Sequence, residues 1–141
     1  MAYATKTDII EQLDEDTLIQ LTDDAGAGTV DDSRVTRAIA DADAEIDSYC
    51  GVRYSVPLSP VPPVIRKGSV DIAVYNLYAR RRGAPEDRKD RYNDAIRFLR
   101  DVAAGKASLG ADDPDGAPGG GNAPSIDYSD RIFTRDKMSG F

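Results

Sequence analysis

The chain has 141 residues, a net charge of −7, one cysteine and no histidine. The absence of histidine excludes Ser-His-Asp and Cys-His catalysis and histidine-ligated metal sites, and the single cysteine excludes an internal disulfide framework. No apolar run approaches the ~20 residues that span a bilayer, and the amino terminus lacks the pattern of a signal peptide. The composition therefore predicts a protein made and kept in a cytoplasm.

Two short helices are predicted at the amino-terminal end, over about residues 6–13 and 15–22. Thr5 and Asp8 have the spacing of a shortened capping box, and Asp14 is a candidate N-cap for the second helix. Helices under ~12 residues are marginal in water, so we expect both to dock on a larger body. The stretch 22–32, which contains two glycines, is predicted to be a loop.

The clearest amphipathic stretch predicts a central helix over about residues 33–50. Its apolar side chains recur at spacings of three and four, which is typical of one buried helix face. They are Val35, Ala38, Ile39, Ala42, Ile46, Tyr49 and Cys50. We interpret Cys50 as a small buried hydrophobe, and Gly51 as a left-handed stop for the helix.

Four acids of this helix alternate at a spacing of two, which distributes them around the helix instead of converging them on an ion. They are Asp41, Asp43, Glu45 and Asp47. We interpret them as a solvent-exposed surface, because a charge run is usually solvated. After the helix, Arg53 and Tyr54 lead into a proline-rich exit that is expected to set the angle to the next helix.

Two more long helices are predicted over about residues 63–82 and 85–104. Prolines 57, 60, 62 and 63 prevent a helix interior in the stretch before these helices, and Pro62 or Pro63 suits the first turn of the first one. Gly83 and Gly105 are expected to end the two helices. Gly68 either weakens the first of them or allows close packing. The predicted fold is all-α: a compact bundle of two to three long helices plus the short amino-terminal helices, over residues 1–110.

The composition changes after residue 110, which predicts two further segments. Residues 111–124 form a flexible Gly/Pro-rich linker that would span roughly 20 Å root-mean-square. Residues 125–141 form a carboxy-terminal docking tail, with apolar anchors at Ile132, Phe133, Met138 and Phe141. A linker followed by apolar anchors indicates a tether for a groove or sheet edge, which we expect on another chain.

The charges are unevenly distributed: residues 1–32 hold nine acids and one lysine, and residues 66–106 hold eleven bases and six acids. The basic cluster comprises Arg80, Arg81, Arg82, Arg88, Lys89 and Arg91. It could contact nucleic acid as part of a small regulatory protein that uses residues 80–91, or cap helix dipoles and pair with Glu86, Asp87 and Asp90. It could also face the acidic end of a neighbouring copy.

We favour the last two interpretations together, because the pI is acidic and no stacking aromatics interleave with the cluster. The predicted subunit interface therefore combines acids from the amino-terminal region with arginines from the later helices. Its members are Asp14, Glu15, Asp16, Arg80, Arg81, Arg82, Arg88 and Arg91. No catalytic, cofactor-binding or metal-binding residue is predicted, and we do not expect an enzyme.

Short motifs across nearly the whole chain resemble one family. They include Tyr3-Ala4-Thr5, Ala38-Ile39-Ala40-Asp41-Ala42, Glu45-Ile46-Asp47-Ser48-Tyr49, Arg53-Tyr54, Asp71-Ile72-Ala73, Ala104-Gly105-Lys106 and Arg131-Ile132-Phe133-Thr134-Arg135-Asp136. In these segments the chain resembles the Mu-like prophage virion proteins of the head–tail connector (adaptor) group of long-tailed phages.

The resemblance implies a compact helical protein that forms a ring of about a dozen copies beneath the portal. The ring would extend the DNA channel and receive the tail, at the head–tail junction of the virion, after assembly in the host cytoplasm. The implied partners are further copies of the chain, the portal protein, tail-completion or tail proteins, and DNA that passes without sequence-specific binding. The resemblance implies no catalytic residue, cofactor or membrane contact.

Overall fold

The computed structural model describes residues 2–81 and 83–110, which form five helices and no strand. They are α1 (Lys6–Gln12), α2 (Glu15–Thr22), α3 (Asp32–Cys50), α4 (Pro63–Ala79) and α5 (Glu86–Ala103). The all-α prediction is confirmed, and α4 ends three residues earlier than predicted. The predicted linker and docking tail lie outside the described residues, as does Arg82.

The core lies between α3, α4 and α5, and α1 and α2 pack on α3 and α4. The predicted apolar face of α3 is buried, except that Tyr49 is half-buried. The most enclosed helix is α4, since every residue from Ser69 to Val74 is buried. A helix that is buried on most sides has few positions where a charged side chain reaches water. The buried Asp71 of this helix is paired with Lys67, whose Nζ lies 2.8 Å from the Asp71 carboxylate.

The helix starts follow the sequence signals. Thr5 and Asp8 form a complete capping box, and the Asp14 carboxylate accepts a hydrogen bond from the Thr17 backbone N–H. The Asp31 carboxylate likewise accepts hydrogen bonds from backbone N–H groups in the first turn of α3. Because each cap satisfies N–H groups that have no partner within the helix, short sequence motifs determine where the helices begin.

The helix ends follow the sequence signals only in part. Gly105 has a φ of +80°, and the bonds from Lys106 N to Asp101 O (2.8 Å) and Gly105 N to Val102 O (3.1 Å) complete a Schellman motif. The left-handed stop predicted at Gly51 is wrong, because this residue has a φ of −61°. The chain instead continues in a turn, in which the N–H of Tyr54 bonds to Cys50 O at 2.8 Å.

Gly68 is not required for close packing, although it lies inside α4. A Cβ atom built at this position would meet nothing within 4 Å. Gly68→Ala is therefore expected to raise the free energy of unfolding by about 1 kcal/mol, because alanine has the higher helix propensity. Urea unfolding followed by circular dichroism measures the change. Gly83→Ala is the control and is expected to lower stability, because Gly83 has a φ of +75°. A loss of stability in Gly68→Ala would contradict the open space beside α4.

Candidate functional site

Two arginines of the basic cluster bind the carboxy-terminal end of α2. Arg80 Nη1 donates to Leu21 O at 2.9 Å, and Arg81 Nη1 donates to Gln20 O at 2.8 Å. Helix α2 has no basic residue in its own last turn. The arginines at the end of α4 therefore supply the positive charge that the negative end of the α2 dipole lacks.

Asp24 connects these arginines to α3. Its carboxylate forms ion pairs with Arg80, with Arg34 Nη2 at 3.0 Å and with Arg81 Nη1 at 3.3 Å. The hydrogen bond from Arg80, and then the nearby positive charges, hold the pKa of Asp24 below its usual range. The sequence prediction treated Asp24 as part of a loop and missed this role. The sequence feature that could have indicated this role is a pair of acids, Asp23 and Asp24, directly after a helix that has no basic residue.

Two further arginines bind Gln12, the last residue of α1. Arg88 Nη2 donates to Gln12 O at 3.2 Å, and Arg91 Nη1 donates to the side-chain oxygen of Gln12 at 3.1 Å. Of the ion pairs predicted with the acids at the start of α5, only a contact of 3.8 Å between Arg88 Nε and Asp87 is present in the described residues. The four described arginines of the predicted interface thus all contact α1 or α2 of their own chain.

The predicted acidic partners lie at the other end of α2. Asp14, Glu15 and Asp16 are exposed, and the hydrogen bonds from Thr17 hold the pKa of Asp14 below its usual range. Within the described residues no ion pair involves these three acids. The subunit therefore separates them from Arg80 and Arg81, and we name them the α2 acidic surface. Their contact with a neighbouring copy stays a prediction.

The acids of α3 are predicted to form an exposed surface, but most of them have hydrogen-bond partners within the subunit. Asp43 accepts hydrogen bonds from Tyr3 N (3.1 Å) and Ser69 Oγ (2.8 Å), and Asp47 accepts one from the Tyr3 hydroxyl. Burial raises the pKa of Asp43 above its ordinary value. Residues four apart share a helix face, so Asp43 and Asp47 both reach the amino-terminal segment.

Glu45 also has an internal partner, since it accepts a hydrogen bond from the Tyr92 hydroxyl at 3.0 Å. Burial, together with that hydrogen bond, raises the pKa of Tyr92 to about 12. The exposed-surface interpretation is therefore wrong for three of the four acids and holds for Asp41, whose side chain is 59% exposed. Cys50 is fully buried as expected, and burial raises the pKa of its thiol to about 11.

Arg53 and Tyr54 fix the segment that follows α5. Arg53 Nη1 donates to Val102 O at 3.1 Å and to Ala107 O at 3.3 Å, and Leu109 N donates to the Tyr54 hydroxyl at 3.1 Å. The proline-rich exit of α3 thus also holds the chain where it leaves the described structure, at Gly110.

An apolar groove of about 280 Å³ opens on the surface between α4 and α5. It is lined by Ile46, Val64, Ile65, Gly68, Ala95, Phe98 and Leu99, with Lys67, Asp71 and Asp94 also in its lining. We name it the α4–α5 groove. The predicted tail anchors Ile132, Phe133, Met138 and Phe141 lie outside the described residues, so their binding sites stay predictions.

The described residues contain no group of three or more cysteine, aspartate or glutamate side chains arranged to hold a metal ion. In the same part of the chain, no helix is both long enough and apolar enough to cross a membrane.

Comparison with known proteins identifies the family. The family model described as "Bacteriophage Mu, Gp36" matches residues 3–127. The chain belongs to the phage Mu Gp36 family. The Mu-like prophage protein FluMu gp36 of Haemophilus influenzae is 34% identical over 139 residues, which cover 99% of this chain and 97% of the relative. Gene product J of Escherichia phage Mu is 31% identical over 143 residues, which cover 100% and 99%.

These matches confirm the resemblance to Mu-like phage proteins that the sequence motifs indicated. The match to the family model ends at residue 127. The alignments with the two relatives also cover nearly all of the chain after that residue. The region of the predicted tail anchors is therefore included in the similarity to both relatives.

Proposed function

We propose that this member of the phage Mu Gp36 family is a structural protein of the virion. In this proposal it acts as a head–tail connector (adaptor) that forms a ring beneath the portal, extends the DNA channel and helps to join the tail. Membership of a Mu-like phage family supports a structural or assembly role. The described residues contribute no arrangement that favours catalysis.

The observation that carries the proposal is that one subunit exposes acidic side chains on one helix and basic side chains on another. The α2 acidic surface is exposed, while Lys89 and Arg100 are exposed on α5 and form no ion pair within the described residues. Helices α2 and α5 each pack on α3 and α4, so the two surfaces belong to separate elements of the same body. A ring requires contacts in which one surface of a subunit meets a different surface of the next, and opposite charges suit such a contact.

The internal use of the arginines weakens the nucleic-acid-binding alternative. Arg80, Arg81, Arg88 and Arg91 contact α1 and α2, which leaves fewer of their donors for phosphate groups. A protein with a net charge of −7 is also poorly suited to binding a polyanion tightly. An acidic lining that lets DNA slide agrees better with this charge.

The connector role predicts that the α2 acidic surface is needed for particle assembly. We expect a phage that lacks this gene to accumulate separate heads and tails, and the wild-type gene to restore joined particles. Glu15→Lys combined with Asp16→Lys should lower the yield of joined particles more than tenfold, because both changes reverse charge at the proposed contact. Electron microscopy with gold-labelled antibody should locate the restored protein at the junction.

Asp112→Lys combined with Asp113→Lys is the matched control, since it changes the net charge equally but outside α2. This control should restore assembly as the wild type does. Normal particles formed without the gene, or label away from the junction, would contradict the connector role. Equal yields from both double variants would contradict the role of the α2 acidic surface.

A further inference from the structure

The α4–α5 groove is an apolar surface that the helical body leaves uncovered. Its floor is formed by Ile46 and Leu99, which are already buried, so its exposed apolar area comes from the lining above them, where Phe98 is partly buried. Val64 at its edge is 41% exposed, and the missing side chain of Gly68 widens it. Covering such a surface would remove apolar area from water, which favours binding of an apolar segment.

The chain leaves the described structure close to this groove. Arg53 holds the carbonyl oxygens of Val102 and Ala107 together, and Val102 is only three residues after Leu99 of the groove floor. Gly110, the last described residue, follows Leu109, whose N–H is bound by Tyr54. Leu109 also lines a surface pocket together with Pro62, so the remaining chain starts near the amino-terminal end of α4, where Val64 lines the groove.

The length of that remaining chain decides which copy can occupy the groove. Residues 111–131 number 21, and a flexible chain of this length spans roughly 25 Å root-mean-square. That span would be long enough for the segment at residues 132–133 to reach a groove on its own subunit. A tether of this length gives an effective concentration in roughly the millimolar range, which is far above that of free copies in dilute solution.

The chemistry of the segment suits the groove. Ile132 and Phe133 are two large adjacent apolar residues, and Arg131 and Arg135 flank them. The groove lining includes Asp94, whose side chain is 71% exposed and whose only ion pair in the described residues is a 3.5 Å contact with Arg97. An arginine next to the apolar pair would therefore meet an acid at the rim.

We propose that the α4–α5 groove binds the segment around Ile132 and Phe133 of the same chain. The groove accepts the two apolar side chains, and Asp94 accepts an arginine that flanks them. This proposal does not depend on the connector role, because it concerns the isolated subunit.

The chain has no tryptophan, so a single reporter can follow the segment. In the full-length Phe133→Trp variant, we expect blue-shifted emission and weak quenching by iodide. Adding Gly68→Arg places a long side chain in the groove, and it should raise the iodide quenching constant severalfold and shift the emission to that of tryptophan in water. Adding Gly68→Ala is the matched control and should leave both readings unchanged.

Arginine is a good helix former, and circular dichroism would confirm that the Gly68→Arg protein keeps its helices. An Ile132→Trp reporter repeats the test in case the larger indole ring does not fit at position 133. Dilution should leave the emission unchanged, since the contact lies within one chain. Exposed tryptophan in both reporters, insensitivity to Gly68→Arg, or a red shift on dilution that indicates a second copy would each overturn the proposal.

Discussion

Tyr3→Phe is expected to lower the free energy of unfolding by about 2 kcal/mol, although it removes a single oxygen atom. Tyr3 is 2% exposed, and its hydroxyl donates to Asp47 and accepts from the Leu58 backbone N–H at 2.9 Å. Burial, followed by the hydrogen bond to Asp47, raises the pKa of this phenol further above its ordinary value, and the protonated hydroxyl is the donor to Asp47. Without the oxygen, the buried Leu58 N–H has no acceptor, and such a group is costly.

Urea unfolding followed by far-ultraviolet circular dichroism measures this loss. Tyr75→Phe is the matched control: the Tyr75 ring stacks on Tyr92 at 4.1 Å, and its hydroxyl makes no hydrogen bond within the described part of the chain. The control should change stability by less than about 0.5 kcal/mol. Equal effects of the two substitutions would show that the Tyr3 hydroxyl does not link α3 to the 55–58 segment.

Leu18→Ala is expected to lower the free energy of unfolding by more than Tyr3→Phe does, by about 3 kcal/mol. Leu18 is fully buried on α2, a helix of eight residues that is too short to be stable alone. Removing its side chain leaves a cavity at the contact between α2 and the body. The loss would be a large fraction of the ~5–15 kcal/mol that stabilises a typical domain.

Gln20→Ala provides the control for this substitution, since Gln20 is exposed on the same helix and only its backbone carbonyl binds Arg81. It should leave stability nearly unchanged. Hydrogen exchange adds a local measurement, because the α2 amides should lose protection first in Leu18→Ala. A loss below about 1 kcal/mol, with α2 still protected, would mean that other contacts hold this helix.

Local sequence signals predicted most of the fold. The caps at Thr5 and Asp14 and the apolar spacing along α3 predict helix starts within a residue of those observed. These features act between residues that are close in sequence, so they can be recognised without knowing the tertiary structure. The helix ends are predicted less well: the turn that follows α3 needs no left-handed residue at Gly51, and α4 ends three residues before its predicted end.

The partners of charged side chains were harder to predict, because they come from distant segments. The acidic pattern of α3 predicts exposed carboxylates, but Tyr3, some 40 residues away, contacts both Asp43 and Asp47. The interactions of Arg88 and Arg91 with Gln12 span more than 70 residues. A charge run has no property of its own that specifies which of its members will be covered by another element.

The binding of α1 and α2 by later arginines has a consequence for how the protein folds during synthesis. Gln12 emerges from the ribosome 76 residues before Arg88, which corresponds to roughly 4–15 s at ~5–20 residues per second. Helix α2 lacks part of the body it packs on, and the charges at its end, until α4 and Arg80 and Arg81 have emerged, and α1 waits longer, for Arg88. We therefore expect the amino-terminal segment to become ordered last, although it is made first. Unfinished chains would then not present the α2 acidic surface in its final form.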